Sequence, residues 1–340
     1  MKLTKMLAAL ALPLPLALSL SMPLSAMLAA PAQAASPQVR TQAPGYYRMM
    51  LGDFEVTALS DGTVTIPLDK LLHNVSQPDM ARLLARGNLT AQAETSINTF
   101  LVNTGSKLVL VDAGAGKLFG PAAGGQLVAN LRAAGYQPED IDMVLLTHIH
   151  GDHSGGLTVD GKAVFPNAVV RVDRHDSEFW LDGANAQKMP AAERHSFATA
   201  AASLAPYLAA GRVQPFDSGS ELLPGIRAVP APGHTPGHTL YEIESRGRKL
   251  VVWGDLIHAK DVQLPRPGVT VQFDVNERAA AAQRKQVLAA AAGTGDGNGG
   301  DAWIAAAHIA FPGIGRIRKD GRKGYAWAPA NYSLEALSGK

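Results

Sequence analysis

Thr147-His148-Ile149-His150-Gly151-Asp152-His153-Ser154-Gly155-Gly156, THIHGDHSGG, holds three of the chain's ten histidines and an aspartate within six residues. It follows Ile141–Leu146, an almost continuously apolar run that reads as a buried strand. The histidines therefore fall in a loop fixed by a rigid strand, where side chains are exposed in a set geometry. In an extended segment, side chains two apart point the same way, so His148 and His150 can reach one metal ion. Asp152 and His153 lie one turn further on and can face a second. Gly151, Gly155 and Gly156 permit the tight path this requires.

A lone H-x-H says little, because histidines also occur in cores and on surfaces. The full T-H-x-H-x-D-H string asks for more ligands, and the chain supplies them in order. Ala231-Pro232-Gly233-His234-Thr235-Pro236-Gly237-His238 comes next, then Gly254-Asp255 at the end of one apolar strand, then His308 at the end of another, Trp303–Ala307. The chain has 0 cysteines, so it has no disulfide, no thiolate nucleophile, and only nitrogen and oxygen donors for a metal.

Lys2 and Lys5, the apolar run Met6–Leu20 and the small residues of Ala32-Gln33-Ala34 have the layout of a secretory signal peptide. Residues 1–34 are read as that signal, cleaved to give an exported protein, periplasmic or secreted. Prolines 13, 15, 23 and 31 disfavour a stable membrane anchor. The segment carries two lysines and no acid, so the formal charge of +2 falls to zero without it. A neutral chain with no basic block is a poor nucleic-acid binder.

Residues 35–48, with Pro37, Pro44 and Gly45, read as an extended lead-in, and 49–340 as a single domain. Phe54–Leu59 reads as a strand, Asp61-Gly62 as a turn and Thr63–Ile66 as a second strand, with residues 69–95 a helical or looped surface segment. Two later segments resemble each other. Thr99–Val102 and Lys107–Val111 form one hairpin, and Leu240–Ile243 and Lys249–Trp253 the other. Each half also carries a helix, Gln126–Ala134 and Glu277–Ala292. This pattern suggests two sheets packed face to face with helices outside. Gly295, Gly297 and Gly300 match a dinucleotide-binding spacing, but they follow an Ala-rich helix instead of a strand and read as a surface loop.

In motif and order, THIHGDH, GHTPGH, GD and AAAHIAFPG resemble the metallo-β-lactamase superfamily over most of residues 50–330. The resemblance implies an αββα sandwich with two mixed sheets, and two divalent ions, with zinc best matched to the donors. It implies that His148, His150 and His234 hold one ion, that Asp152, His153 and His308 hold the other, and that Asp255 bridges them. Such a centre makes hydroxide near neutral pH and aims it at a carbonyl carbon or phosphorus. Asp255 or a metal-held water is then the candidate proton donor to the leaving group. His238 fits the motif but exceeds the ligand count, and is read as supporting the ligands from behind.

Within the superfamily, the absence of cysteine and the presence of Asp255 argue against β-lactamases. The chain resembles the group containing quorum-quenching lactonases and methyl parathion hydrolase, through APGYYRMMLGDFEVTALSDGTV, LVNTGSKLVLVDAGAGKLFGP, FPNAVVR and AAAHIAFPGIG. That resemblance implies a homodimer and an aromatic substrate pocket at Phe119, Trp180 and Phe197, suited to aryl leaving groups. The chain departs from methyl parathion hydrolase at Gly151, where proline stands there, and at Leu71 and Leu72, where an arginine stands. It departs again at His258 and Phe273, where leucines stand. His258 and Phe273 would narrow the pocket and favour a planar lactone or aryl ester over a phosphotriester. The expected function is a dinuclear hydrolase of lactones or aryl esters with organophosphate side activity. The alternatives are a dedicated organophosphate hydrolase and a non-catalytic exported metal-binding protein.

Overall fold

The computed structural model describes residues 36–333 and 337, apart from 121, 122, 190, 192, 193, 294–301 and 323. The expected signal segment 1–34 and the Gly295–Gly300 loop lie outside the described residues. The chain divides into two units, Met1–Thr41 and Gln42–Lys340. Described residues 36–41 of the first carry no helix or strand. Among the described residues, no helix is long and apolar enough to cross a membrane.

The second unit contains two seven-stranded mixed sheets. In spatial order, the first runs Tyr46–Leu51, Phe54–Pro67, Gln92–Asn103, Leu108–Val111, Met143–Leu145, Val169–Asp173 and Val213–Phe216. The second runs Glu221–Leu223, Ile226–Pro230, Thr239–Ser245, Arg248–Val252, Trp303–Ala305, Ile314–Asp320 and Gly324–Pro329. In each half an antiparallel hairpin leads through a helix, Leu127–Ala133 or Glu277–Ala291, to a parallel neighbour strand.

Period-two alternation along the strands builds the layers. Phe100, Val102, Val109 and Val111 face Tyr241, Ile243, Leu250 and Val252 of the other sheet. Their neighbours Leu101 and Leu110 turn the other way, onto Leu127, Leu131, Leu204 and Tyr207 of the covering helices. On the far side, Leu240 and Ile304 pack on Leu288 of the helix Glu277–Ala291. This is the αββα sandwich expected from the sequence.

Two local readings are corrected. The first strand begins at Tyr46, inside the segment read as a lead-in, because Tyr46–Arg48 pair with Thr57–Leu59. Asp61-Gly62 is not a hairpin turn. Phe54–Pro67 runs through it as one strand, with a register shift between Ser60 and Gly62 where a bulge takes up the extra residue. Asp61 in that bulge is buried and accepts the amides of Ala115 at 2.8 Å and Leu127 at 2.9 Å through its carboxylate. It thereby ties the loop after Asp112 to the first crossover helix. Asp61→Ala strands both amides and is expected to lower stability by about 3 kcal/mol, read by urea denaturation with metals present.

Candidate metal centre

Every expected ligand sits just past a strand end at the rim where the two sheets meet. His148 and His150 follow Met143–Leu145, and Asp152 and His153 lie in the single helical turn Gly151–Ser154. His234 precedes Thr239–Ser245, Asp255 follows Arg248–Val252, and His308 follows Trp303–Ala305. The structure brings all seven together. Donor atoms of His148, His150, His234 and Asp255 lie within 4.8 Å of one another, as do those of Asp152, His153 and His308.

Asp255 stands between the groups. Its Oδ2 lies 3.2 Å from His234 Nε2 and 3.6 Å from His148 Nε2. Its Oδ1 lies 2.9 Å from His153 Nε2 and 3.0 Å from His308 Nε2. Burial would raise its pKa, but His153, His308, His258 and His148 outweigh this and hold it well below the usual carboxylate range. An ionised Asp255 supplies charge and lone pairs.

The outward nitrogens of the rings are held from behind. His234 Nδ1 bonds Asp274 Oδ1 at 2.8 Å, His153 Nδ1 bonds Asp112 Oδ2 at 2.8 Å, and His308 Nδ1 bonds the Ser96 carbonyl at 2.9 Å. His148 Nδ1 lies 3.1 Å from Thr147 Oγ1, whose own hydrogen goes to Asp112. The hydroxyl therefore accepts from Nδ1–H. These tautomers, assigned from the bonding pattern, leave a bare lone pair on His148 Nε2, and on His234 Nε2 once that ring gives up the proton it shares with Asp255.

Both nitrogens face His150 Nδ1, each at 3.0 Å, with ring planes 82°, 84° and 88° apart. Three imidazole nitrogens converging this closely can be shared by one cation once the rings are neutral, and nitrogens about 3.4 Å apart are what a tetrahedral zinc site needs. His153 Nε2 and Asp255 Oδ1, 2.9 Å apart, are buried and make no well-formed hydrogen bond among the described residues. The residues present fit two divalent ions.

The metal-free cluster is electrostatically divided. Burial drives His148 and His150 well below an ordinary histidine and His238 down to about 3. Burial also opposes protonation of His153, His234 and His308, but the carboxylates outweigh it. Asp255 and Asp274 carry His234 up to about 9, while Asp255 and Asp152 raise His153 and His308. His238 accepts the Asp255 amide on Nε2 at 3.1 Å and anchors to the Ala231 carbonyl at 3.2 Å, so it holds the Gly254-Asp255 turn from behind.

The expected pocket residues divide. Phe119 and Phe273 are 39% and 42% exposed. Trp180 and Phe197 are 4% and 5% exposed and pack in the core between the first sheet and its helices, with Trp180 meeting the site edge-on at His150. Their rings pack against each other at 4.7 Å between centres, tilted by 50°. His258 is nearer the centre than expected. Its Nε2 lies 2.9 Å from Asp255 Oδ2, and it forms a third metal-capable group with Asp255 and His308. Gly151 is hemmed in: a Cβ there would lie 2.7 Å from Leu118 Cδ2 and 3.0 Å from Thr199 Cγ2. His73 and His175 pair with Glu277 and Asp173.

Sequence reading missed Asp112, Asp274 and Asp176. Asp112 had a signal, being the acid that ends an apolar strand before Ala113-Gly114. Asp274 and Asp176 had none, since only the fold brings them to their partners.

The Metallo-beta-lactamase superfamily profile matches residues 93–296. The fold is similar to that of AbOPH, a hydrolase in the beta lactamase superfamily, at 36% identity and TM-score 0.80 over 86% of this chain and 100% of that one. It is also similar to AidC, a dizinc quorum-quenching lactonase solved with its product N-hexanoyl-L-homoserine, at 27% identity and TM-score 0.76 over 85% of this chain and 98% of that one. An N-acyl homoserine lactonase from a Bacillus species is 30% identical over 128 residues, 37% of this chain and 43% of that protein. The chain spans about half the length of the curated relatives it matches. With the sandwich, the ordered ligands and the profile in agreement, this chain belongs to the metallo-β-lactamase superfamily.

Proposed function

We propose that this protein is a metal-dependent hydrolase of lactones or aryl esters, with organophosphate triesters as a side activity. One observation carries the reading: Asp255 joins two groups of imidazole and carboxylate donors that are buried except for the half-buried His150 and Asp152. Two divalent ions bound there, zinc by the donor chemistry, would polarise a carbonyl or phosphoryl oxygen and lower the pKa of a water. The chain's own part is to orient the rings through Asp112, Asp274, Thr147 and Ser96, and to keep Asp255 ionised between them. Phe119 and Phe273, exposed and apolar, offer faces for a flat substrate to lie on. The lactonase activity of similar proteins supports the substrate class. Export after residue 34 and a homodimer belong to the same proposal and rest on the sequence alone.

The test is kcat/KM for an aryl lactone such as dihydrocoumarin against methyl parathion, using mature protein purified with its metals. A preference for the lactone supports the reading. A preference for the phosphotriester replaces it with a dedicated organophosphate hydrolase. Metal uptake without hydrolysis of either would revive the binding-protein reading. His258 and Phe273 have ring centres 6.2 Å apart on one flank of the centre. Replacing both by leucine is expected to shift the ratio toward the phosphotriester by about tenfold or more, as removal of bulk from a pocket wall does. An unchanged ratio would show that these side chains do not limit the substrate.

A further inference from the structure

The helix Arg174–Leu181 follows the strand Val169–Asp173 and carries Asp176 and Trp180 one turn apart on one face. Asp176 is 0% exposed, yet its carboxylate meets backbone on two separate loops. Oδ2 accepts the amide of Ile149, the residue between His148 and His150, at 2.8 Å. Oδ1 accepts the amide of Gly237, just before His238, at 2.9 Å. The approach admits no side chain, since a Cβ on Gly237 would lie 2.4 Å from the Asp176 nitrogen. One turn on, Trp180 sets its ring edge-on to His150, 5.0 Å between centres and 69° between planes.

The two loops leave different sheets. Behind them, the strands are joined by the Thr239 amide on the Thr147 carbonyl and the Tyr241 hydroxyl on the Leu146 carbonyl. Asp176 ties them again further out, beside the imidazoles. We propose that Asp176 is a positioning residue for the three-histidine group: its two oxygens fix the His148–His150 loop and the His234–His238 loop at one spacing before any ion binds, while Trp180 from the same helix sets the His150 ring. The inference rests on reading His148, His150 and His234 as holding one ion. Hydrogen bonds to an ionised acceptor are shorter and stronger than neutral ones. An asparagine of the same shape has one oxygen, and would present its NH2 to the other amide.

The test is cobalt binding to Asp176→Asn, followed by chelator competition and by the visible absorption of the bound ion. Cobalt affinity at the three-histidine group is expected to fall about 10–100-fold, the usual effect of losing a partner behind a ligand. The visible spectrum should change while the Asp152–His153–His308 group and the far-UV circular dichroism stay as in wild type. Trp180→Phe keeps a ring against His150 and should bind within a few-fold of wild type. Unchanged affinity and spectrum in Asp176→Asn would overturn the clamp and leave the hydrolase reading intact. Wild-type protein that takes up no cobalt overturns both. If Asp176→Asn does not fold, amide exchange in metal-free wild type decides. Ile149 and Gly237 should be protected as the flanking strands are, and exchange at free-loop rates refutes the clamp.

Discussion

Dialysis against a chelator at pH 8 is expected to abolish ester hydrolysis and lower the melting temperature by about 10 °C. An ion held at a thousandfold excess over its dissociation constant contributes about 4 kcal/mol, and a protein of this size loses about 2–4 °C per kcal/mol. Returning zinc should restore both. The effect also has a pH signature. In the metal-free protein His148, His150, His238 and His258 are held below the ordinary histidine value by burial, so they stay neutral in the folded state. Below about pH 6.5 the unfolded chain takes up protons that the folded one refuses, and stability falls as pH falls. His153, His308 and His234, the last raised to about 9, do the reverse. They keep protons that the unfolded chain releases, so stability falls as pH rises from about 6.5 towards 9. Metal-free protein should therefore be most stable near pH 6.5. Metal binding needs those nitrogens bare and expels the protons, so affinity rises across the same window. Melting curves of loaded and metal-free protein should diverge steadily between pH 6.5 and 9, and a constant gap would count against this account.

Asp255→Asn should have the largest effect of any single substitution. The carboxylate lies within 3.2 Å of four imidazole nitrogens, from His153, His234, His258 and His308. Its replacement removes the shared ligand and leaves raised histidines buried without their counter-charge. Several kcal/mol of charge stabilisation corresponds to about a 10³-fold loss in kcat/KM, with loss of at least one ion. Asp112→Asn is the control. It touches only the far side of His153 and Thr147, so about a 10–100-fold loss is expected with both ions retained at high zinc. Elemental analysis beside kinetics separates the two. Equal losses in both variants would mean that Asp255 acts as scaffold alone.

The candidate ligands were legible because most follow an apolar run and the metal chemistry restricts the residue types to histidine and aspartate. The sandwich was legible because hairpin and helix recur in both halves with period-two alternation. What failed has a common physical source. Asp61-Gly62 has turn composition, yet the strand continues through it, because pairing on both sides over Phe54–Pro67 outweighs local preference. Trp180 and Phe197, assigned to the substrate pocket by resemblance, are buried in this structure. Their burial depends on how the helices Arg174–Leu181 and Arg194–Ala209 close over the first sheet. Asp176 and Asp274 act on partners 27 and 40 residues away, beyond any local pattern.

Gly151 lets access to the loop be altered apart from its donor residues. The atoms a Cβ would meet there belong to the tips of Leu118 and Thr199, and Leu118 is 43% exposed and free to swing aside. A larger residue at this position would reshape the entrance while leaving the neighbouring donors His150 and Asp152 on the same backbone path. Aperture and reactivity are thus written at different positions of one short string. On the hydrolase proposal, a substitution at Gly151 would change substrate access without touching the residues proposed to hold the ions.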